Sequence, residues 1–323
     1  MLQDIQRYIQ EGISKVNEYI YQSLQREDPS IQQFVDYLLQ KQGKQIRPRF
    51  VLTVAVMLGE RITEKTLRGA ALISILHHAS LIHDDVIDEA SYRRHVKTFN
   101  VQWNNKLAVL FGDYLLATVL RIAVENNDYD YLAMLAKTAQ AMSEGEILQL
   151  TRINGLSVSE VAYLHIIQQK TASLLGTACA IGAISVAASS TQIETLYTVG
   201  EQLGMAFQLR DDMLDYQGSV ANTGKAPLMD LKEKKLTLPL IYALQQAQPS
   251  EAEAILHKIH YHIEDTETLQ QVGAFVHRLG GIDYTLKKML DYREKALQIL
   301  KNNVKPSVYQ ETLISLIEEI LRV

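Results

Sequence analysis

A chain of 323 residues, 47% of them hydrophobic, has a globular composition and is long enough to bury a substantial core. A formal net charge of -5 excludes a general nucleic-acid binder, whose surface would be basic, so any phosphate chemistry must be local. One cysteine, Cys179, cannot close an internal disulfide, and its small apolar setting, GTACAIGA, marks it as a packing residue in a reducing compartment.

The N-terminal stretch lacks the apolar core of a signal peptide, which predicts a cytoplasmic protein. Residues Leu2 to Leu24 instead carry Ile5, Ile9, Ile13, Val16 and Ile20, the stripe of an amphipathic helix. Asp28-Pro29 opens a second helix running to about Gln42. Gly43 to Pro48, GKQIRP, reads as a short connector presenting Lys44 and Arg47, two cations suited to gripping a phosphate. The alternative is an ordinary basic surface loop.

Pro48 to Gly59 reads as a buried helix, and Thr63 to about Ser91 as a long one. The latter carries LIHDDVIDEASYRR, in which Asp84 and Asp88 fall one turn apart on one face. Carboxylates so placed repel one another unless a cation lies between them, and their oxygens are hard ligands of the kind Mg²⁺ takes alongside substrate phosphates. His77 lies two turns earlier, close to that face; with His78 and His83 it fits no familiar zinc set. Ala79 and Ser80, both small, leave a path for a substrate tail along the helix, or simply allow close packing.

Lys106 to Asn126, Asp130 to Asn154 and Gln192 to Tyr216 are further helices, and Ser157-x-x-Glu160 reads as a capping box. The last of the three helices holds a second motif, QLRDDMLDY, with Asp211, Asp212 and Asp215 at the first motif's spacing. Two such motifs far apart in sequence could hold metal ions against one diphosphate. The uncharged stretch from Thr171 to Ile193 is long enough to cross a membrane, but its Ala, Ser, Thr and Gly content predicts a buried helix. From Gly218 to Lys235 the pattern breaks into a polar, lysine-rich loop, a candidate flap. Shorter amphipathic helices follow. No stretch alternates as a strand would, and none of the six prolines lies between Pro48 and Pro227, so the prediction is all-α, one domain over residues 1–323.

Taken in order, GKQIRP, HHASLIHDDVIDEASYRR, KTASLLG, QLRDDMLD and GKAPLMDLKEKKLTLP resemble the trans-isoprenyl diphosphate synthases across roughly residues 40 to 240. The resemblance implies a single all-helical domain around a central hydrophobic cavity, usually a homodimer, with Mg²⁺ as cofactor. It implies that Asp84, Asp88 and Asp211, supported by Asp85, Asp212 and Asp215, hold Mg²⁺ on an allylic diphosphate. Arg93, Lys170, Thr171, Gln208, Lys225 and Lys235 would contact that diphosphate, and Lys44, Arg47, His77 and Arg94 would bind isopentenyl diphosphate. Asp84, Asp88, Lys170 and Asp211 would carry the catalysis. The chain departs from the family where His95 follows the paired arginines and where Leu228 and Lys234 stand in the flap, all positions where Gly is common. Ala79, five residues before the first aspartate, resembles the long-chain members, since short-chain enzymes place an aromatic there. A long all-trans polyprenyl product, destined for a quinone side chain, is therefore expected.

Several rivals remain at this point: a short-chain synthase, a class I terpene cyclase, the catalytic subunit of a heteromeric synthase, and a non-catalytic prenyl-lipid carrier or regulatory subunit. A cyclase usually has Asn and Ser in its second motif and needs no isopentenyl site, whereas this chain has a second DDxxD and retains GKQIRP. A non-catalytic subunit would be expected to lose the aspartates, and all six are present.

Overall fold

Helices account for almost every element in the computed structural model, which describes residues 2–40, 43–93, 96–153, 159–217, 228–233 and 235–322. Among these residues the one sheet is a hairpin of two two-residue strands, β1 (Tyr92–Arg93) and β2 (Val96–Lys97). The all-α prediction is thus met, with a hairpin too short to leave an alternating pattern. The chain forms two compact units. The first comprises Met1–Gln140, Leu174–Glu201 and Ala296–Arg322; the second comprises Ala141–Ser173 and Gln202–Lys295.

In the first unit, α1 (Leu2–Leu24) buries the predicted stripe, Ile5, Ile9, Ile13, Val16, Ile20 and Leu24. Helix α2 (Pro29–Leu39) starts at a proline with Asp28 as its cap, and ends three residues short of the expected Gln42. Helix α3 (Ile46–Gly59) is buried almost all round, from Phe50 to Met57. It begins two residues before Pro48, because a proline in the first turn needs no intrahelical N–H partner. Arg47 therefore projects from a helix and not from a loop.

Helix α4 (Glu64–Ile87) is capped reciprocally by Thr63 and Thr66 and buries a near-continuous run from Gly69 to Leu76. It stops at Ile87, four residues before the expected end: Asp88 is its C-cap and Glu89 follows with φ 50° in the left-handed region. Helices α5 (Phe99–Gln102) and α6 (Asn105–Glu125) pack against α4. Phe34, Tyr37, Phe99, Trp103 and Phe111 stack into an aromatic cluster, with ring centroids 4.7 to 5.5 Å apart. Tyr37 also donates to the Lys97 carbonyl at 2.8 Å, so this cluster seats the hairpin that follows the first aspartate motif.

Helix α9 (Ser173–Ile184) buries Leu174, Ala178, Cys179, Ala180, Ile181 and Ala183. The small-residue stretch is a buried helix as expected, broken before Ile193 at Ala187, whose φ is 58°. Burial pushes the Cys179 thiol pKa well up, which keeps it inert. Helix α16 (Val308–Ile320) completes this unit against α1 and α3.

Helices α7 (Tyr129–Ile153) and α10 (Ser190–Gln217) contribute residues to both units. The second unit also holds α8 (Glu160–Ile167), which runs directly into a π-helical turn, Gln168–Ala172. Its cap is Ser159, accepting from the Ala162 N–H at 3.2 Å; the expected capping serine, Ser157, lies outside the described residues. The short α11 (Met229–Lys232) follows, with α12 (Leu238–Gln246), α13 (Pro249–His262), α14 (Thr266–Arg278) and α15 (Gly281–Asn303).

Candidate active site

In the first unit, Arg47 of GKQIRP meets the long aspartate helix. Gln45, at φ 49°, turns the chain into α3, and its side chain donates to Asn17 Oδ1 at 2.7 Å. Arg47 Nη1 lies 2.9 Å from His77 Nε2. A guanidinium stays protonated, so His77 accepts at Nε2 and carries its hydrogen on Nδ1. Two residues assigned to one ligand are thereby joined. Lys44 is exposed. Beside it, Arg49 makes a two-pronged bond to Glu319 on α16, at 2.8 and 2.6 Å, and that bond, aided by Arg49 and Lys44 charge, holds the Glu319 carboxyl below its usual range.

Asp84 and Asp88 are half-buried, and the Asp88 N–H donates to the Asp84 carbonyl at 2.8 Å. Asp85 is buried and held by Arg93, whose Nε and Nη2 both lie 2.8 Å from Oδ1. The Asp85 carbonyl accepts from Ala90 and from Asn100, tying the turn after α4 to α5. Ala79 is fully buried, and Ser80 turns its hydroxyl onto the His77 carbonyl at 2.9 Å.

In the second unit a pocket of about 140 Å³ is lined by Lys170, Thr171, Gln208, Asp212 and Lys235, with Tyr163 and Asp230. Thr171 Oγ1 donates to Gln208 Oε1 at 2.9 Å, and Gln208 Nε2 donates to Asp212 Oδ1 at 2.7 Å. The Tyr163 hydroxyl donates to the other Asp212 oxygen. Burial, and next the charge of Asp230, push the Asp212 carboxyl up to about 8. Asp211 is exposed, with Arg210 Nη1 at 3.2 Å. Asp215 is used differently: its two oxygens accept from the backbone of Met229 (3.1 Å) and Asp230 (3.2 Å), capping α11.

The chain matches the polyprenyl synthetase family over residues 28–276. It belongs to that family. It is similar to the octaprenyl diphosphate synthase of Haemophilus influenzae, 32% identical over 98% of this chain and 95% of that one. An all-trans-nonaprenyl-diphosphate synthase of Rhodobacter capsulatus is 33% identical over 97% and 95%. Among solved structures, a polyprenyl synthase from Caulobacter crescentus, complexed with calcium and isoprenyl diphosphate, superposes with a TM-score of 0.91 at 32% identity, covering 100% of this chain and 98% of that one. The polyprenyl synthetase described here is accordingly a prenyltransferase, a trans-polyprenyl diphosphate synthase of the long-chain type.

Two residues assigned by sequence, Arg94 and Lys225, lie outside the described residues of the synthase, as do His95 and Lys234. Two pocket groups, Tyr163 and Asp230, went unassigned, as did Glu146, which pairs with Lys170. Tyr163 and Glu146 sit in sequence that reads as ordinary helix, and Asp230 in the lysine-rich loop. Only Asp230, an acid among four lysines beside the second motif, left a signal.

The donor set fits a divalent cation. Asp212 and Asp230 share one pocket, and the Asp230 charge makes Asp212 harder to ionise, a cost a bound cation would relieve. Among the described residues no three His, Cys, Asp or Glu side chains could hold a metal unaided.

Proposed function

We propose that the protein is a Mg²⁺-dependent synthase that condenses isopentenyl diphosphate head-to-tail with an allylic diphosphate, giving a long all-trans polyprenyl diphosphate for a quinone side chain. The observation that carries this reading is the pocket in the second unit. Lys170, Thr171, Gln208 and Lys235, assigned to the allylic diphosphate one by one from separate motifs, line it together with Asp212 of the second aspartate motif.

Asp84, Asp88 and Asp211, with Asp85, Asp212 and Asp215 in support, would hold Mg²⁺; Asp215 also caps α11. When bound, Mg²⁺ neutralises charge on the leaving diphosphate. The lysines and Arg93 add donors where that charge develops, so the allylic C–O bond breaks to leave a carbocation. Lys44, with the joined Arg47 and His77, orients isopentenyl diphosphate so that its double bond attacks that carbon. A new C–C bond forms, and the proton lost from the adjacent carbon passes to the released diphosphate. Tyr163 stays a proton donor to Asp212, since burial and that carboxylate raise its own pKa well above the usual value.

The whole chain would act as one synthase domain, in the cytoplasm and as a homodimer. Support for the dimer comes from α6. By length and composition α6 is the one described helix able to cross a membrane, with 44% of its apolar window buried. Val109, Leu110, Leu120 and Val124 are exposed on one of its faces, around Ala117. A second copy presenting the same face would cover it.

The test is incubation of the purified chain with Mg²⁺, isopentenyl diphosphate and farnesyl diphosphate. Elongated polyprenyl diphosphates support the reading; diphosphate release with cyclic hydrocarbon would mean a cyclase. Lys170→Met should raise the KM for farnesyl diphosphate and spare that for isopentenyl diphosphate.

A further inference from the structure

We infer that Glu146 is a positioning residue for Lys170, acting through the ammonium group and not on the substrate. The inference rests on the proposed contact of Lys170 with the allylic diphosphate. Glu146 sits on α7 with 7% of its surface exposed, and its carboxylate pairs with Lys170 Nζ. A buried carboxylate is costly unless a cation and hydrogen bonds offset its lost hydration, so it constrains the cation strongly in turn. Lys235, the other pocket lysine, pairs with Glu233, a far more exposed partner only two residues away, at 2.8 Å.

The backbone beneath Lys170 is fixed from the same helix. Lys170 and Thr171 lie on the π turn, where the Ser173 N–H donates to the Gln168 carbonyl and the extra residue re-aims the side chains. A Cβ at Gly145 would stand 2.9 Å from the Lys170 nitrogen, 3.1 Å from Gln169 Cβ and 3.2 Å from the Ile166 carbonyl oxygen. Successive residues of α7 thus hold the two ends of one lysine: Gly145 lets the backbone seat, and Glu146 holds the head. Without the Glu146 charge, a four-carbon stem would be free to swing its ammonium toward Asp212 or Asp230 in the same pocket. The group that should meet the diphosphate would then sit on the carboxylates that should meet the metal.

The test is a double-mutant cycle on kcat and KM with Mg²⁺ saturating: wild type, Glu146→Gln, Lys170→Met and the double variant. Glu146→Gln should lower kcat/KM for farnesyl diphosphate about tenfold and leave the KM for isopentenyl diphosphate within about twofold. In the Lys170→Met background the same substitution should change kcat/KM by less than about twofold. Glu146→Asp, run through the same cycle, keeps the charge one methylene short and should recover part of the loss, and it keeps the cycle readable if Glu146→Gln does not fold. An equal loss in both backgrounds, or wild-type kinetics for Glu146→Gln, overturns the inference while leaving Lys170 in place. Wild-type kinetics for Lys170→Met would instead remove Lys170 from the allylic site, and the inference with it.

Discussion

Burial and the nearby Asp230 carboxylate push Asp212 up to about 8, so its proton is held more tightly in the folded chain than in the unfolded one. The sign follows directly. A folded value above the ordinary 3.8 means the native state binds more protons between the two values, so stability falls as pH rises from about 4 to about 8. In chelator-treated protein the melting temperature should therefore decline across that window, and Asp212→Asn should flatten the decline. An unchanged slope in the variant would show that other groups control it. The Arg47–His77 pair makes a separate prediction: His77→Ala should raise the KM for isopentenyl diphosphate about tenfold, leaving that for farnesyl diphosphate nearly unchanged.

Along α4, Ala79 is fully buried and five residues before Asp84. Ala79→Phe should shorten the polyprenyl product by several isoprene units, read by chromatography; an unchanged product length would place the tail elsewhere. Elements of this kind were readable where periodicity is long. The Ile stripe of α1, the Asp28-Pro29 start of α2 and the apolar run of α9 all announce themselves, because a helix must bury one face and satisfy its first N–H groups. Single-residue events left no trace. The π turn at Gln168–Ala172 inserts one residue between two helices without any change of residue type to mark it, and the β1–β2 hairpin is too short to alternate. Arg47 was expected on a loop because Pro48 reads as a helix start, yet a first-turn position two residues in is equally open to proline.

For the molecule as a whole, the two aspartate motifs, the basic GKQIRP segment and the paired arginines were legible from residue type and spacing, since metal and phosphate chemistry needs those groups and few others. What spacing could not give is which partner each group takes. Glu146 looks like a surface acid in SEGEIL but is buried against Lys170, and Asp215 matches its motif while its carboxylate caps α11. The exposed apolar face of α6 is the surface proposed for the dimer. Leu110→Glu with Leu120→Glu should convert the particle to a monomer in sedimentation, whereas an unshifted mass would move the interface off α6.

The decisive measurement is reversed-phase chromatography of the products made from isopentenyl and farnesyl diphosphates, with Mg²⁺ and with chelator. A ladder ending in a long all-trans polyprenyl diphosphate is expected, abolished by chelator and by Asp84→Ala or Asp211→Ala. Products that stop at geranylgeranyl length, cyclic hydrocarbons, or elongation that persists without divalent cations would contradict it.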